Sequence, residues 1–85
     1  MNVRVSSHFE RRYKKLPKLV KKKAKKQELI FKHNPFDPRI NTHKLHGGRK
    51  NEWAYSVDNS YRIVFIFLED GAILYIDIGT HSELY

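Results

Sequence analysis

Cysteine is absent from this chain of 85 residues, which excludes a disulfide framework and a thiolate metal site. The sequence also has no apolar run near the roughly 18 to 20 residues that a membrane-spanning helix needs. Its first residues lack the apolar segment of a secretory signal. We therefore expect one small cytoplasmic domain, residues 1–85, that does not enter a membrane.

Acidic residues are scarce in the first third of the chain. Residues 1–33 contain twelve lysines and arginines against two acids, a net charge of +10, whereas residues 34–85 contain five against seven, a net charge of −2. A basic segment of this kind indicates a polyanionic partner. Nucleic acid, the ribosome, an anionic membrane and an acidic protein all satisfy that description.

The stretch that organises the chain runs from Tyr61 to His81 and reads YRIVFIFLEDGAILYIDIGTH. Its first eight residues are almost entirely apolar, which is typical of a central strand buried on both faces. Asp70 and Gly71 predict a tight hairpin turn, followed by a returning strand over residues 72–78. The hairpin is expected to bring Arg62 and His81 to one rim of the sheet.

The residues before this stretch predict a short strand and a helical hairpin. Residues 3–5 alternate as a strand does, and Ser7 and Glu10 have the spacing of a capping box that begins a helix. Pro17 predicts the break before a second helix over residues 18–31. The stripes expected to face the sheet contain Phe9, Tyr13 and Leu16 in the first helix, and Val20, Ala24, Gln27 and Phe31 in the second.

Six lysines between residues 18 and 26 occupy most of the remaining surface of the second helix. A run of this kind forms either a solvated face or an electrostatic docking face. The second interpretation is favoured, because neighbouring lysines repel one another and few acids compensate them.

The remaining elements complete an α+β fold. A long loop over residues 34–52 precedes a strand over residues 53–57, giving the order β-α-α-β-β-β. We expect the two N-terminal helices to pack on one face of a small antiparallel sheet, with the first strand at the edge of the sheet. The other face of the sheet is expected to be more open.

This order of elements, together with five short motifs, resembles the RelE/ParE superfamily of bacterial and archaeal type II toxins, and most of all its RelE/YafQ branch. The motifs are His43-Lys44-Leu45-His46-Gly47, Trp53-Ala54-Tyr55-Ser56-Val57, Tyr61-Arg62-Ile63-Val64-Phe65, Ile78-Gly79-Thr80-His81 and Leu84-Tyr85. The resemblance covers essentially the whole chain. It implies a RelE-like fold, an endoribonuclease that cleaves mRNA, commonly in the ribosomal A site, and inhibition by a cognate antitoxin.

The resemblance also implies the site residues. Arg62 matches the active-site arginine of the family, and His43 and His81 match two histidines of the YafQ branch. Tyr85 matches an aromatic residue near the C-terminus.

The chemistry of RNA cleavage without a metal or cofactor fits these residue types. Histidine can carry the protons and arginine can stabilise the charged phosphorane. We expect His81 to act as acid or base, Arg62 as the stabiliser and His43 as the second proton carrier, with His46 as its substitute. An alternative role for Arg62 is an ion pair with Asp77. A zinc site formed by the three histidines is a weaker interpretation, because His-x-x-His in a loop is a weak signal.

Residues around the long loop are candidates for RNA binding. Lys44, Arg49 and Lys50 are expected to contact phosphates, although loop lysines and arginines often serve only solubility. His46 is a further candidate for RNA binding, and Tyr85 is either a mobile chain end or an aromatic lid over the site. Trp53 and Tyr55 could stack on bases, but aromatic residues on an alternating strand more often belong to the core.

Two departures from the YafQ pattern keep other functions open. Ser56 and Ser60 stand where that pattern has a histidine and an aspartate. The chain could therefore be a catalytically degenerate binding module, or a ParE-like inhibitor of DNA gyrase. Two histidines at the expected positions argue against a pure binder, which needs no proton carriers.

Overall fold

The computed structural model describes residues 1–85 and arranges them as two helices on one face of a five-stranded sheet. No helix has the length and apolar character that crossing a membrane demands. The elements in chain order are β1 (Val3–Val5), α1 (Ser7–Lys14), α2 (Lys18–His33), a 3₁₀ turn (Pro38–Ile40), β2 (His43–Lys44), β3 (Trp53–Ser56), β4 (Tyr61–Phe67), β5 (Ile73–Thr80) and α3 (His81–Leu84).

The sheet has the strand order β1-β5-β4-β3-β2, which confirms β4 as the central strand and β1 as an edge strand. The strands β2 to β5 form an antiparallel meander, but β1 pairs with β5 in parallel. The sheet is therefore mixed: three of its four pairings are antiparallel, as expected for the meander, and the pairing of β1 with β5 at the edge is parallel. Parallel neighbours require a long crossover, and the chain between β1 and β5 provides it through both helices and the three strands between them.

The helical hairpin confirms the predicted break, with one change at its start. Ser6, not Ser7, caps α1, because the side chain of Ser6 accepts a hydrogen bond from the Phe9 amide at 3.0 Å. A serine pair offers two possible cap positions, and the last hydrogen bond to the sheet, from Ser6 N–H to Tyr75 O, fixes the earlier one. Pro17 precedes α2, which continues to His33, beyond the predicted end.

The main core lies between the helices and the sheet and is centred on Phe31. This side chain is 0% exposed and stacks on Tyr55, with ring centroids 4.6 Å apart. Tyr55 and Tyr75 share a buried hydrogen bond between their hydroxyls at 2.9 Å. Burial raises the pKa of both phenols, so they stay neutral at physiological pH. Trp53 packs on the edge of this core, and Tyr55 lies inside it, as the core interpretation predicted.

The strand β4 is buried on both faces at its centre, as predicted. Ile63 and Phe65 belong to the main core, whereas Val64 belongs to a second cluster on the opposite face. The members of that second cluster are Leu45, Ala54, Val64 and Leu84.

The C-terminal end contains a helical turn that the sequence analysis did not predict. The strand β5 continues to Thr80, and α3 follows with a capping box in which the Thr80 amide donates to Glu83 Oε1 at 2.7 Å. Leu84 then packs onto the second cluster. One part of the open face is therefore covered by the end of the chain.

The central position of Phe31 gives a stability prediction. Phe31→Ala should lower the free energy of unfolding by about 3 to 5 kcal/mol, because it leaves a cavity among aromatic rings. Leu29→Ala, on the same helix but at a side chain that is 72% exposed, should change it by less than about 0.5 kcal/mol. Urea unfolding followed by circular dichroism measures both variants. Equal losses would contradict this description of the core.

The capping box of α3 gives a pH prediction. The pKa of Glu83 lies below its ordinary value of 4.5, because its carboxylate accepts hydrogen bonds from the Thr80 amide and hydroxyl and lies near Arg12. This stabilisation is complete above pH 4.5 and is lost as the pH falls through the lowered folded-state pKa. The Thr80 amide chemical shift should report a transition below pH 4.5 that Glu83→Gln removes. A transition at a higher pH would refute the cap.

Candidate functional site

The candidate site lies on the sheet face opposite α1 and α2. Residues paired across neighbouring strands place their side chains on the same face. One such row contains His43, Ala54, Val64 and Asp77, and the next contains Ser56, Arg62 and Gly79. Since Ala54 and Val64 belong to the second cluster, Arg62 and His43 share its face.

Arg62 is held by the turn before β4 and has no carboxylate partner. Its Nη1 donates to the backbone oxygens of Asp58 at 2.9 Å and Tyr61 at 3.3 Å. Asp58 closes that turn by accepting hydrogen bonds from the amides of Ser60 and Tyr61. The Nε and Nη2 groups of Arg62 make no hydrogen bond to the protein, so their N–H donors can bind an anion.

The alternative ion pair between Arg62 and Asp77 does not form. Asp77 lies opposite Val64 in the register and is bound by the α1 side chains instead. Arg12 Nε is 3.1 Å from Asp77 Oδ1, and His8 Nε2 is 3.2 Å from the same oxygen.

Gly79 allows this arrangement, because a Cβ atom there would collide with the Arg12 guanidinium. Arg12 also donates to Ile78 O at 2.9 Å and lies 3.4 Å from Glu83. It therefore ties α1 to both β5 and α3. This role of Arg12 was not predicted from the sequence. The available signal was a glycine inside a strand, which often marks a close approach by another group.

His81 lies at the end of β5, two residues beyond the position that faces Arg62. It is the first residue of α3 and is exposed to solvent. Its ring meets the ring of Tyr85 edge-to-face, with centroids 4.6 Å apart. The structure thus places His81 and Tyr85 side by side in the segment that follows β5.

His43 lies farther along the same face, on the edge strand β2 and not in the loop where it was predicted. From the strand spacing and rise, its Cα lies about 12 Å from that of Arg62. Its Nδ1 is 3.0 Å from Asn41 O. Because a carbonyl only accepts, the proton belongs on Nδ1, and Nε2 of the neutral ring is left as a proton acceptor.

The predicted RNA-binding residues do not all lie together. Lys44 pairs with Trp53, so its side chain lies on the helix side of the sheet, away from Arg62. His46 and Lys50 are exposed in the loop between β2 and β3. Arg49 turns inward and makes ion pairs with Glu52 at 2.8 Å.

No three histidine or acidic side chains come together in an arrangement that could hold a metal ion, so His43, His46 and His81 do not form the zinc site considered above.

The largest cavity is on the opposite side of the molecule, between α1, α2 and the sheet. It has a volume of about 610 Å³ and is rimmed by Lys14, Lys21 and Lys25 together with Glu10 and Glu28. Its apolar floor consists of Val5, Phe9, Tyr13, Ala24, Ile63 and Tyr75. It is distinct from the open face, because the floor residues belong to the helix side of the sheet.

The fold of this chain is similar to the folds of several toxins whose structures have been solved. Neither the models of known protein families nor the sequences of curated proteins match the chain. The structure matches a YoeB/ParE toxin from Agrobacterium tumefaciens over 95% of this chain and 99% of that one, with a TM-score of 0.78 and 15% identity. It matches the E. coli DinJ–YafQ toxin–antitoxin complex over 99% and 96%, with a TM-score of 0.73 and 22% identity.

A further match is the archaeal RelE–RelB complex from Pyrococcus horikoshii OT3, over 95% of this chain and 94% of that one, with a TM-score of 0.74 and 15% identity. These three structures span nearly the full length of the chain with the same arrangement of helices and sheet. The chain therefore has the fold of the RelE/ParE toxin superfamily, as its motifs and its order of elements predicted.

Proposed function

We propose that this protein is the toxin of a type II toxin–antitoxin system, an endoribonuclease that cleaves mRNA on the ribosome and thereby inhibits translation. The observation that carries the proposal is the state of Arg62, whose guanidinium has free donors on an open face that also holds His43 and is bordered by His81. The fold shared with YafQ and RelE supports the same function.

The proposed reaction is attack of a ribose 2′-hydroxyl on the neighbouring phosphate. His43 Nε2 takes the proton of the 2′-hydroxyl, and the 2′-oxygen forms a bond to phosphorus. The bond from phosphorus to the 5′-oxygen breaks, and His81 gives that oxygen a proton. The products are a 2′,3′-cyclic phosphate and a 5′-hydroxyl, and no metal or cofactor takes part.

Arg62 is assigned to stabilise the negative charge that develops on the phosphorane between these two proton transfers. Its Nε and Nη2 donors match the fork geometry that binds two phosphate oxygens. Ser56 lies beside it on β3, so a hydroxyl occupies the place of the histidine expected in the YafQ pattern. The proton transfers are therefore assigned to His43 and His81 alone.

The surrounding cations are assigned to positioning RNA. Lys50 and His46 extend from the loop after β2, and Tyr85 lies beside His81 with an exposed ring. The exposed lysines of α2 face the other way and suit the negatively charged surface of a ribosome. Binding is accordingly expected to weaken as salt increases.

A cognate antitoxin is the proposed protein partner. The cavity between α1 and α2 combines an apolar floor with a rim of three lysines and two glutamates, which fits a segment with apolar anchors and acidic residues against the lysines. The toxin–antitoxin complex among the structural matches supports a partner of this kind.

The activity test is cleavage of mRNA in a translating extract, mapped by primer extension. The native protein should cut mRNA only when ribosomes are present. Arg62→Ala and His81→Ala should each lower cleavage by about 100-fold or more, because each removes a group that acts in the transition state. Leu29→Ala, at an exposed position of α2 remote from the site, should cleave as the native protein does.

Two results would count against the assignment. A well-folded native protein that leaves mRNA intact would favour the degenerate module or the gyrase inhibitor, which a supercoiling assay separates. If Arg62→Ala does not fold, the main role of Arg62 is to stabilise the turn that begins at Asp58. Arg62→Lys then keeps the charge without the fork and should still cleave far more slowly than the native protein.

A further inference from the structure

Arg49 was expected to contact RNA phosphates, but its guanidinium is occupied inside the protein. Nε and Nη2 lie 2.9 Å and 2.8 Å from Glu52 Oε1, and Nη1 donates to Leu84 O at 2.6 Å. The Arg49 Cζ also lies 5.5 Å from the centre of the Tyr85 ring. One side chain thus connects the loop before β3 to the last two residues of the chain.

The turn that Arg49 reaches has little stability of its own. The helix α3 contains four residues, and a single helical turn is not stable in water. Its start is fixed by the Thr80 capping box, and its end by burial of Leu84, which is 8% exposed. The bond from Arg49 to Leu84 O satisfies a backbone oxygen that a helix end otherwise leaves without a partner.

The loop that carries Arg49 is itself closed. The Leu45 amide donates to Glu52 O at 2.9 Å, and the Glu52 amide donates to Arg49 O at 3.3 Å. Leu45 packs with Leu84 in the second cluster. The loop therefore offers a fixed support for the end of the chain.

We propose that Arg49 is a positioning residue that docks α3 on the loop between β2 and β3 and so orients His81 and Tyr85. Tyr85 is held from one side by the Arg49 guanidinium, and its ring contacts the ring of His81. The docking stands on the geometry alone, whereas its effect on catalysis rests on the proposed ribonuclease function.

The substitution Arg49→Lys distinguishes this positioning role from a phosphate contact. A phosphate contact largely keeps its attraction when Arg49 becomes lysine. Docking needs a planar fork that donates to Glu52 and Leu84 O at once, which a lysine ammonium cannot reproduce. Glu52 provides a second test, because its removal frees Arg49 for phosphate yet loosens the dock.

The direct test is ¹⁵N relaxation of the Leu84 and Tyr85 amides in the free protein, without RNA. In the native protein the Leu84 order parameter should approach the rigid value of about 0.85. In Arg49→Ala, Arg49→Lys and Glu52→Ala it should fall below about 0.6. Lys50→Ala removes a neighbouring charge from the same loop and should leave it unchanged. A Leu84 amide that stays rigid in Arg49→Ala or Arg49→Lys overturns the proposal.

Cleavage kinetics on programmed ribosomes test the catalytic consequence. Loss of docking should lower kcat by roughly tenfold to a hundredfold through misplacement of His81, with little change in KM. It should also leave the salt dependence of binding unaltered. A higher KM with a salt slope smaller by about one would instead make Arg49 a phosphate contact and overturn the positioning role. Absence of cleavage by the native protein would remove the proposed function, while the relaxation result would still decide the docking.

Discussion

Burial of β4 on both of its faces is the constraint on which the rest of the structure depends. One face is covered by α1 and α2 through Phe31 and its aromatic neighbours. The other is covered only around Val64, by the short α3 and by Leu45. Arg62 follows the alternation of the same strand onto that thinly covered face. A helix layer on one side thus leaves a polar, accessible surface on the other.

The distribution of charge follows the same division. The helix layer carries the lysines of α2, and only two of them, Lys23 and Lys32, have carboxylate partners. The acids of the opposite side are engaged by structural bonds, such as Asp77 and Glu83 with Arg12. Neither carboxylate pairs with Arg62, so under the proposed function neither competes with phosphate for its guanidinium.

Much of the fold could be predicted from the sequence because its signals are local. The apolar run of β4, the Asp70-Gly71 turn and the break at Pro17 each determine a nearby backbone. The pairing of Arg62 with Gly79, by contrast, depends on a β-bulge between Val64 and Phe65, which shifts the register by one residue. The parts that could not be predicted depend on long-range register. Whether Lys44 faces the helices or the open side changes with a one-residue shift of β2. The inward turn of Arg49 depends on Leu84, 35 positions away.

The most direct measurement of the central claim, that mRNA lies on the open face, is site-specific crosslinking during translation. The photoreactive residue p-benzoylphenylalanine would replace Tyr85, beside His81, in one protein and Leu29, exposed on α2, in another. The account predicts crosslinks to mRNA from position 85 and none to mRNA from position 29. Crosslinks to mRNA from position 29, with none from position 85, would place the RNA on the helix layer and contradict it.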